Sequence, residues 1–243
     1  MKSIAVQLYS VRELPAADFE GTVRKVAALG YQGVETAGFA GTTPGAAARL
    51  FTMLGLKVVS SHARLPAGDQ QDALIADVAA CGSPIYIVPS MRPDEFSSVD
   101  ATRRICDKLN TAAEACRRAG LGFGYHNHWM EMADFGGKRA YQVMNAELDP
   151  AILFEVDTYW VKVAGLDPAA VVAELGPRAR LLHFKDGPGT REAPMVALGS
   201  GVMDFPALVK AARYLETPIV EFDRCAGDIL ADLKQSFDYL KSL

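Results

Sequence analysis

The chain has 243 residues, 50% of them hydrophobic and 22% charged, a composition ordinary for a folded globular protein with a self-sufficient core. Its formal net charge of −4 argues against a protein built to grip a nucleic acid backbone. No run approaches the roughly 20 apolar residues of a membrane span.

The opening MKSIAVQLYS lacks a long apolar region and a small-residue cleavage site, so no signal peptide is expected. The four cysteines, Cys81, Cys106, Cys116 and Cys225, show no CxxC spacing and read as reduced thiols of a cytoplasmic protein.

Short, near-continuous apolar runs then follow one another along the chain. They fall at 3–9 (SIAVQLY), 31–36 (YQGVET), 57–62 (KVVSSH), 85–89 (IYIVP), 121–126 (LGFGYH), 152–157 (ILFEVD), 180–185 (RLLHFK) and 218–222 (PIVEF). Runs of this kind suit parallel strands buried on both faces. Helical stretches lie between them. The clearest is 98–119, where Ile105, Leu109, Ala112, Ala113 and Cys116 recur at helical spacing behind Ser98 and Asp100 as candidate N-caps. Gly30, Gly55, Gly82, Gly120 and Gly176 each close a helical stretch shortly before a strand.

Strand, helix and glycine repeat at about 30 residues per unit, which is the βαβ rhythm. The expected fold is therefore an α/β, single-domain (β/α)8 TIM barrel over residues 1–243. An open doubly wound sheet is the alternative, but the stretch LYSVRELP after the first strand carries no glycine fingerprint. The longest irregular stretch, 186–204 (DGPGTREAPMVALGSGVMD), reads as a flexible covering loop. It lacks the Lys-Ser/Thr of a phosphate-binding loop.

In such a barrel the active site lies at the C-terminal strand ends. All four histidines sit there: His62, His126, His128 and His183. Residues two apart on a strand share a face, which yields the pairs Ser60/His62, His126/His128, Glu155/Asp157, His183/Lys185 and Glu221/Asp223. Pointing outward, these groups would be buried under helices without partners; pointing inward, they converge. Imidazole and carboxylate together suit one divalent cation (Mn, Zn, Co or Mg).

Blander roles exist for each residue. Asp157 could cap the next helix, Lys185 could pair with Asp186, and Glu221 could pair with Arg224. Asp223 reads as a supporting residue and Glu35 as a barrel-interior polar group. Trp129 and Trp160 follow strand ends and could wall a sugar ring.

The motifs YHNHWME, VDTYW, LLHFKD and VEFD, with VQLYSVR at the start, resemble the sugar phosphate isomerase/epimerases. These belong to the xylose-isomerase-like barrel superfamily, which also holds inosose dehydratases and endonuclease IV. The resemblance spans the whole chain. It implies a divalent metal held by one residue from each of the last four strands, typically Glu, Asp, His and Glu. Carried over, the last three are Asp157, His183 and Glu221. Where many relatives carry Glu-Asn-His, this chain has His126-Asn127-His128, so His126 is expected as the first ligand, with Glu131 as the rival.

The implied activity is isomerisation or epimerisation of a sugar or keto-sugar, by proton abstraction next to a carbonyl through a metal-stabilised enediolate. Glu221 and one of Glu131 or His128 are the expected proton-transfer groups. Lys185 is expected to steady the oxyanion, and His62 to contact substrate. Dehydration of a keto-sugar or keto-inositol is the main alternative. Endonuclease-like phosphodiester cleavage and a non-catalytic sugar-binding barrel are remoter ones. The expected partner is a small-molecule sugar, with no nucleic acid and no membrane; a homo-oligomer is compatible with the sequence.

Overall fold

The computed structural model of the chain describes residues 3–14 and 18–243. Met1 and Lys2, part of the stretch read for a signal peptide, and Pro15 of LYSVRELP lie outside the described residues. Eight parallel strands close into a barrel in sequence order, which excludes the open sheet. They are β1 (Ala5–Gln7), β2 (Gly33–Ala37), β3 (Lys57–His62), β4 (Ile85–Val88), β5 (Gly122–His126), β6 (Leu153–Asp157), β7 (Leu181–Phe184) and β8 (Thr217–Val220). Closure comes from β8 pairing with β1 through Ala5 opposite Ile219.

All eight expected runs form strands, some of them shortened. β1 stops at Gln7, whose side chain accepts from Tyr9 N and turns the backbone into a 3-10 helix over Leu8–Val11. Lys185 and Glu221 stand one residue beyond β7 and β8.

The outer layer comprises α1 (Phe19–Ala28), α2 (Pro44–Met53), α3 (Gln71–Ala80), α4 (Val99–Arg118), α5 (Ala140–Glu147), α6 (Thr158–Val163), α7 (Pro168–Leu175), α8 (Phe205–Ala211) and α9 (Ile229–Ser242). Ser98 caps α4 by accepting from Ala101 N at 3.1 Å, and Gly120 ends it with φ 79°. Among the described residues no helix is long and apolar enough to cross a membrane. All four cysteines are free.

Alternation along the strands separates two apolar cores. Leu182 and Val220 belong to the large core between barrel and helices. Their neighbours Leu181 and Ile219 instead join Ala5 and Ile87 in a separate cluster inside the barrel. The barrel narrows here: a Cβ on Gly124 would stand 2.6 Å from Ile87 Cδ1. Two residues further along β7 and β8 come His183 and Glu221, so the apolar floor carries a polar layer above it.

The stretch after β7 is not the free loop expected from its length. Asp186, buried to 1% exposure, accepts from the N–H groups of Gly187 (2.9 Å), Gly199 (3.0 Å), Gly201 (2.9 Å) and Met203 (3.2 Å). One carboxylate thereby ties both ends of the segment together. Gly201 is required for this, since its Cβ would stand 2.1 Å from Asp186 Oδ1. Composition advertised flexibility, but a single buried acceptor overrides it.

Candidate active site

Four of the inward residues at the strand ends converge. His126, Asp157, His183 and Glu221 each offer one ligand atom, and these atoms all lie within 4.8 Å of one another. Each is positioned by its own strand and by a specific local bond.

His126 donates Nδ1–H to the Pro89 carbonyl at 3.1 Å, which leaves the Nε2 lone pair facing inward. That Nε2 has no hydrogen-bond partner among the described residues and lies 3.4 Å from Asp157 Oδ2. Burial, reinforced by His183, pushes the ring's pKa below its ordinary value, so it is neutral and able to ligate. Asp157 does cap α6, as Oδ1 accepts from Trp160 N at 3.0 Å, yet its Oδ2 remains directed at the cluster. Capping and ligation thus fall to different oxygens. Asn127 joins the two strand ends, accepting from Asp157 N at 3.0 Å and donating to its carbonyl at 3.3 Å.

His183 is fully buried and contacts carboxylates on both sides: Nδ1 lies 2.6 Å from Glu221 Oε2, and Nε2 lies 2.7 Å from Glu35 Oε2. Lys185 pairs with neither Asp186 nor solvent. Its Nζ stands 2.8 Å from Asp157 Oδ2, 2.7 Å from Glu221 Oε2 and 2.7 Å from Asp223 Oδ2. Burial opposes its charge, but those carboxylates outweigh the cost and hold its pKa well above the usual lysine value. Lys185 is therefore a cation in the site and no base. Burial likewise works against ionisation of Glu221, and Lys185 and His183 overcome it, holding the carboxyl well below its ordinary value. Arg224, the rival partner of Glu221, bonds the Arg191 carbonyl instead.

Glu131 sits elsewhere. Its Oε1 accepts from the Tyr125 hydroxyl at 2.5 Å and its Oε2 from His128 N at 2.9 Å, so both oxygens are engaged. It is not among the converging ligand atoms, and it holds the backbone of His128 in place. The His128 ring is 5.0 Å from that of His126, and its Nδ1 has no partner among the described residues. Burial, with His126 and Lys185 adding to it, pushes the His128 pKa down to about 3.

Above the cluster opens a cavity of about 540 Å³ lined by Tyr9, Phe39, His62, Arg64, His128 and Glu221. That volume suits a small polar molecule. Trp129 and Trp160 meet edge to face at 5.1 Å near His128, and Arg191 stacks on Trp129 at 3.9 Å.

Sequence reasoning undervalued Glu35 and left Glu155 without a role. Both are fully buried and face His62 and His183. Their strand positions, in phase with Gln7 and Asp157, were the available signal.

The chain matches the family described as xylose isomerase-like TIM barrel over residues 23–243, and it belongs to that family. A 2-epi-5-epi-valiolone 7-phosphate 2-epimerase from an Actinoplanes species is 31% identical over 132 residues, covering 53% of this chain and 47% of that protein. The match thus spans about half the length of that relative. A sugar phosphate isomerase/epimerase from Parabacteroides distasonis superposes with TM-score 0.86 at 26% identity, covering 100% of this chain and 99% of the other. A probable 3-DHS dehydratase from Bacillus anthracis shares the fold, with TM-score 0.78 at 12% identity over 98% of each chain.

Proposed function

We propose that the chain is a divalent-cation-dependent sugar isomerase or epimerase that removes a proton next to a carbonyl. One observation carries this reading: four ligand atoms converge beneath a sugar-sized cavity, with the neutral Nε2 of His126 unpartnered among the described residues. Buried polar atoms ordinarily find partners, so an orphaned imidazole nitrogen beside three other donors fits a cation. His126, Asp157, His183 and Glu221 are the residues that would hold it. When bound, a divalent cation supplies Lewis-acid polarisation of a carbonyl and its neighbouring hydroxyl.

The chain's own residues do the rest. Lys185, a fixed ammonium, stabilises negative charge growing on a substrate oxygen. Glu221 faces the cavity as an ionised carboxylate and takes the proton. His128, neutral and with Nδ1 unpartnered among the described residues, stands in the same cavity as the second proton-transfer group. Glu131 acts through His128 as a positioning residue. Trp129 and Trp160 pack beside His128, with Arg191 stacked on Trp129. The family likeness and the named epimerase relative support this reaction class and a sugar-like substrate.

A second reading, elimination of a β-hydroxyl from a keto-sugar, is favoured by one feature. With His126 on β5, Glu221 has no opposing carboxylate ligand there, and elimination begins with a single base. Protein stripped by chelator is expected to lose turnover on a keto-sugar panel and regain it with Mn²⁺. Full turnover by stripped protein contradicts the reading.

A further inference from the structure

Beneath the proposed catalytic cation lies a second convergence of metal-ligating groups. Glu35 on β2, His62 on β3, Glu155 on β6 and His183 on β7 each offer one atom, all within 4.8 Å of one another. We propose that these four residues form a second site for a transition-series divalent cation, with His183 bridging it to the first. The inference shares His183 with the proposed catalytic site, but it does not depend on which reaction that site runs.

The geometry has the required form. His62 Nε2 lies 2.5 Å from Glu155 Oε2 and 3.2 Å from Glu35 Oε2. His183 Nε2 lies 2.7 Å from Glu35 Oε2 and 3.3 Å from Glu155 Oε2. Donors about 2.0–2.1 Å from a tetrahedral Zn²⁺ stand about 3.3 Å apart, so the cage closes on a cation with movements of under about 1 Å. Two nitrogens and two carboxylate oxygens favour Zn²⁺, Mn²⁺, Fe²⁺ or Co²⁺ over Ca²⁺.

Three further features separate this cage from a chance cluster. Glu155 is fully buried, and its Oε1 has no partner among the described residues, although a buried carboxylate oxygen left unpaired is costly. Glu35 is clamped from behind, as Gln7 Nε2 donates to Oε2 at 2.7 Å and Ser60 Oγ to Oε1 at 2.5 Å. Such outer bonds are what orient metal-binding carboxylates. The His62 side chain, 9% exposed, lines the cavity and gives a route from solvent to the cage.

His183 Nδ1 faces the Glu221 group while Nε2 faces the Glu35 group. Each His183 nitrogen donates to a carboxylate, so ligation through both releases two ring protons to solvent, leaving an imidazolate between two cations. Four carboxylates, Glu35, Glu155, Asp157 and Glu221, and the imidazolate then carry five negative charges against the four of two divalent cations, and Lys185, beside Asp157, Glu221 and Asp223, adds a fifth positive charge. Nothing is oxidised or reduced.

The test is Mn²⁺ stoichiometry by equilibrium dialysis and elemental analysis on the full chain, with EPR of the loaded protein. Wild type is expected to saturate at two equivalents with an exchange-broadened signal. Glu155→Gln and Glu35→Gln each retain one equivalent and show the resolved spectrum of an isolated Mn²⁺. Glu221→Gln keeps the lower equivalent instead, which distinguishes the sites. Circular dichroism confirms that each variant is folded. Saturation of wild type at one equivalent, with that equivalent retained in Glu155→Gln, overturns the second site and leaves Glu35 and Glu155 as groups that only orient His183. Zero equivalents in wild type overturns both sites.

Discussion

His126 donates its Nδ1–H to the Pro89 carbonyl at 3.1 Å, and this hydrogen bond fixes which nitrogen faces the barrel axis. A histidine thereby presents a neutral nitrogen to the four-residue cluster from the end of β5. His126→Ala is expected to lower Mn²⁺ affinity at the upper site by at least about a hundredfold, beyond the 10–100-fold typical of outer partners. Dialysis against ⁵⁴Mn checks this. Unchanged affinity would remove His126 from the ligand set.

Glu131 is expected to behave in the opposite way. Its bond to His128 N positions the proposed proton-transfer group and involves none of the four converging ligand atoms. Glu131→Gln should keep Mn²⁺ affinity and lose about a hundredfold in turnover, the scale of a 1 Å misplacement. Loss of the metal in this variant would restore Glu131 as the strand-five ligand.

Lys185 shields three carboxylates from one another. Removing one partner of a buried ion pair costs about 3–5 kcal/mol, so Lys185→Met should be destabilised on that scale when metal-free. Added Mn²⁺ replaces the lost positive charge, and the melting temperature should rise more than in wild type. An equal rise in both proteins would contradict the shared role.

The pH dependence has a definite sign. His128 has its folded pKa pushed down to about 3 by burial, with His126 and Lys185 adding to it, against about 6.5 when unfolded. Its contribution to stability is therefore present above pH 6.5 and is lost as pH falls toward 3, by at most about 1.4 kcal/mol per pH unit. Urea melts of His128→Gln should show a shallower acid slope than wild type. Parallel slopes would mean that His128 takes up its proton at the same pH in the folded and the unfolded chain.

Asp186 holds four N–H groups of its loop. Asp186→Ala leaves these donors without their acceptor and should cost about 3 kcal/mol, with new proteolysis within 186–204. Intact resistance would show that the loop is held by other contacts.

The barrel was legible because parallel strands buried on both faces must be apolar throughout, as IYIV over Ile85–Val88 is. The convergence of polar strand-end pairs such as His183 and Lys185 was legible too from period-two alternation, while the choice of His126, Asp157, His183 and Glu221 within them rested on the family resemblance. What escaped was depth. Glu155 and Asp157 share a face but lie at different heights in a staggered barrel, so spacing alone does not show that Glu155 faces His62 rather than His126. The order of the 186–204 loop was hidden for another reason. It depends on one carboxylate meeting backbone groups up to 17 positions away, which no local pattern encodes.

The proposed reaction is proton abstraction at a carbonyl-adjacent carbon, dependent on a cation at His126, Asp157, His183 and Glu221. The most direct measurement is solvent exchange: a panel of keto-sugars incubated with Mn²⁺-loaded protein in D₂O and read by NMR. At least one substrate is expected to gain deuterium at the carbon next to its carbonyl, in wild type and not in Glu221→Gln. Product formation without deuterium entering that position, or equal exchange in Glu221→Gln, would contradict proton abstraction by Glu221.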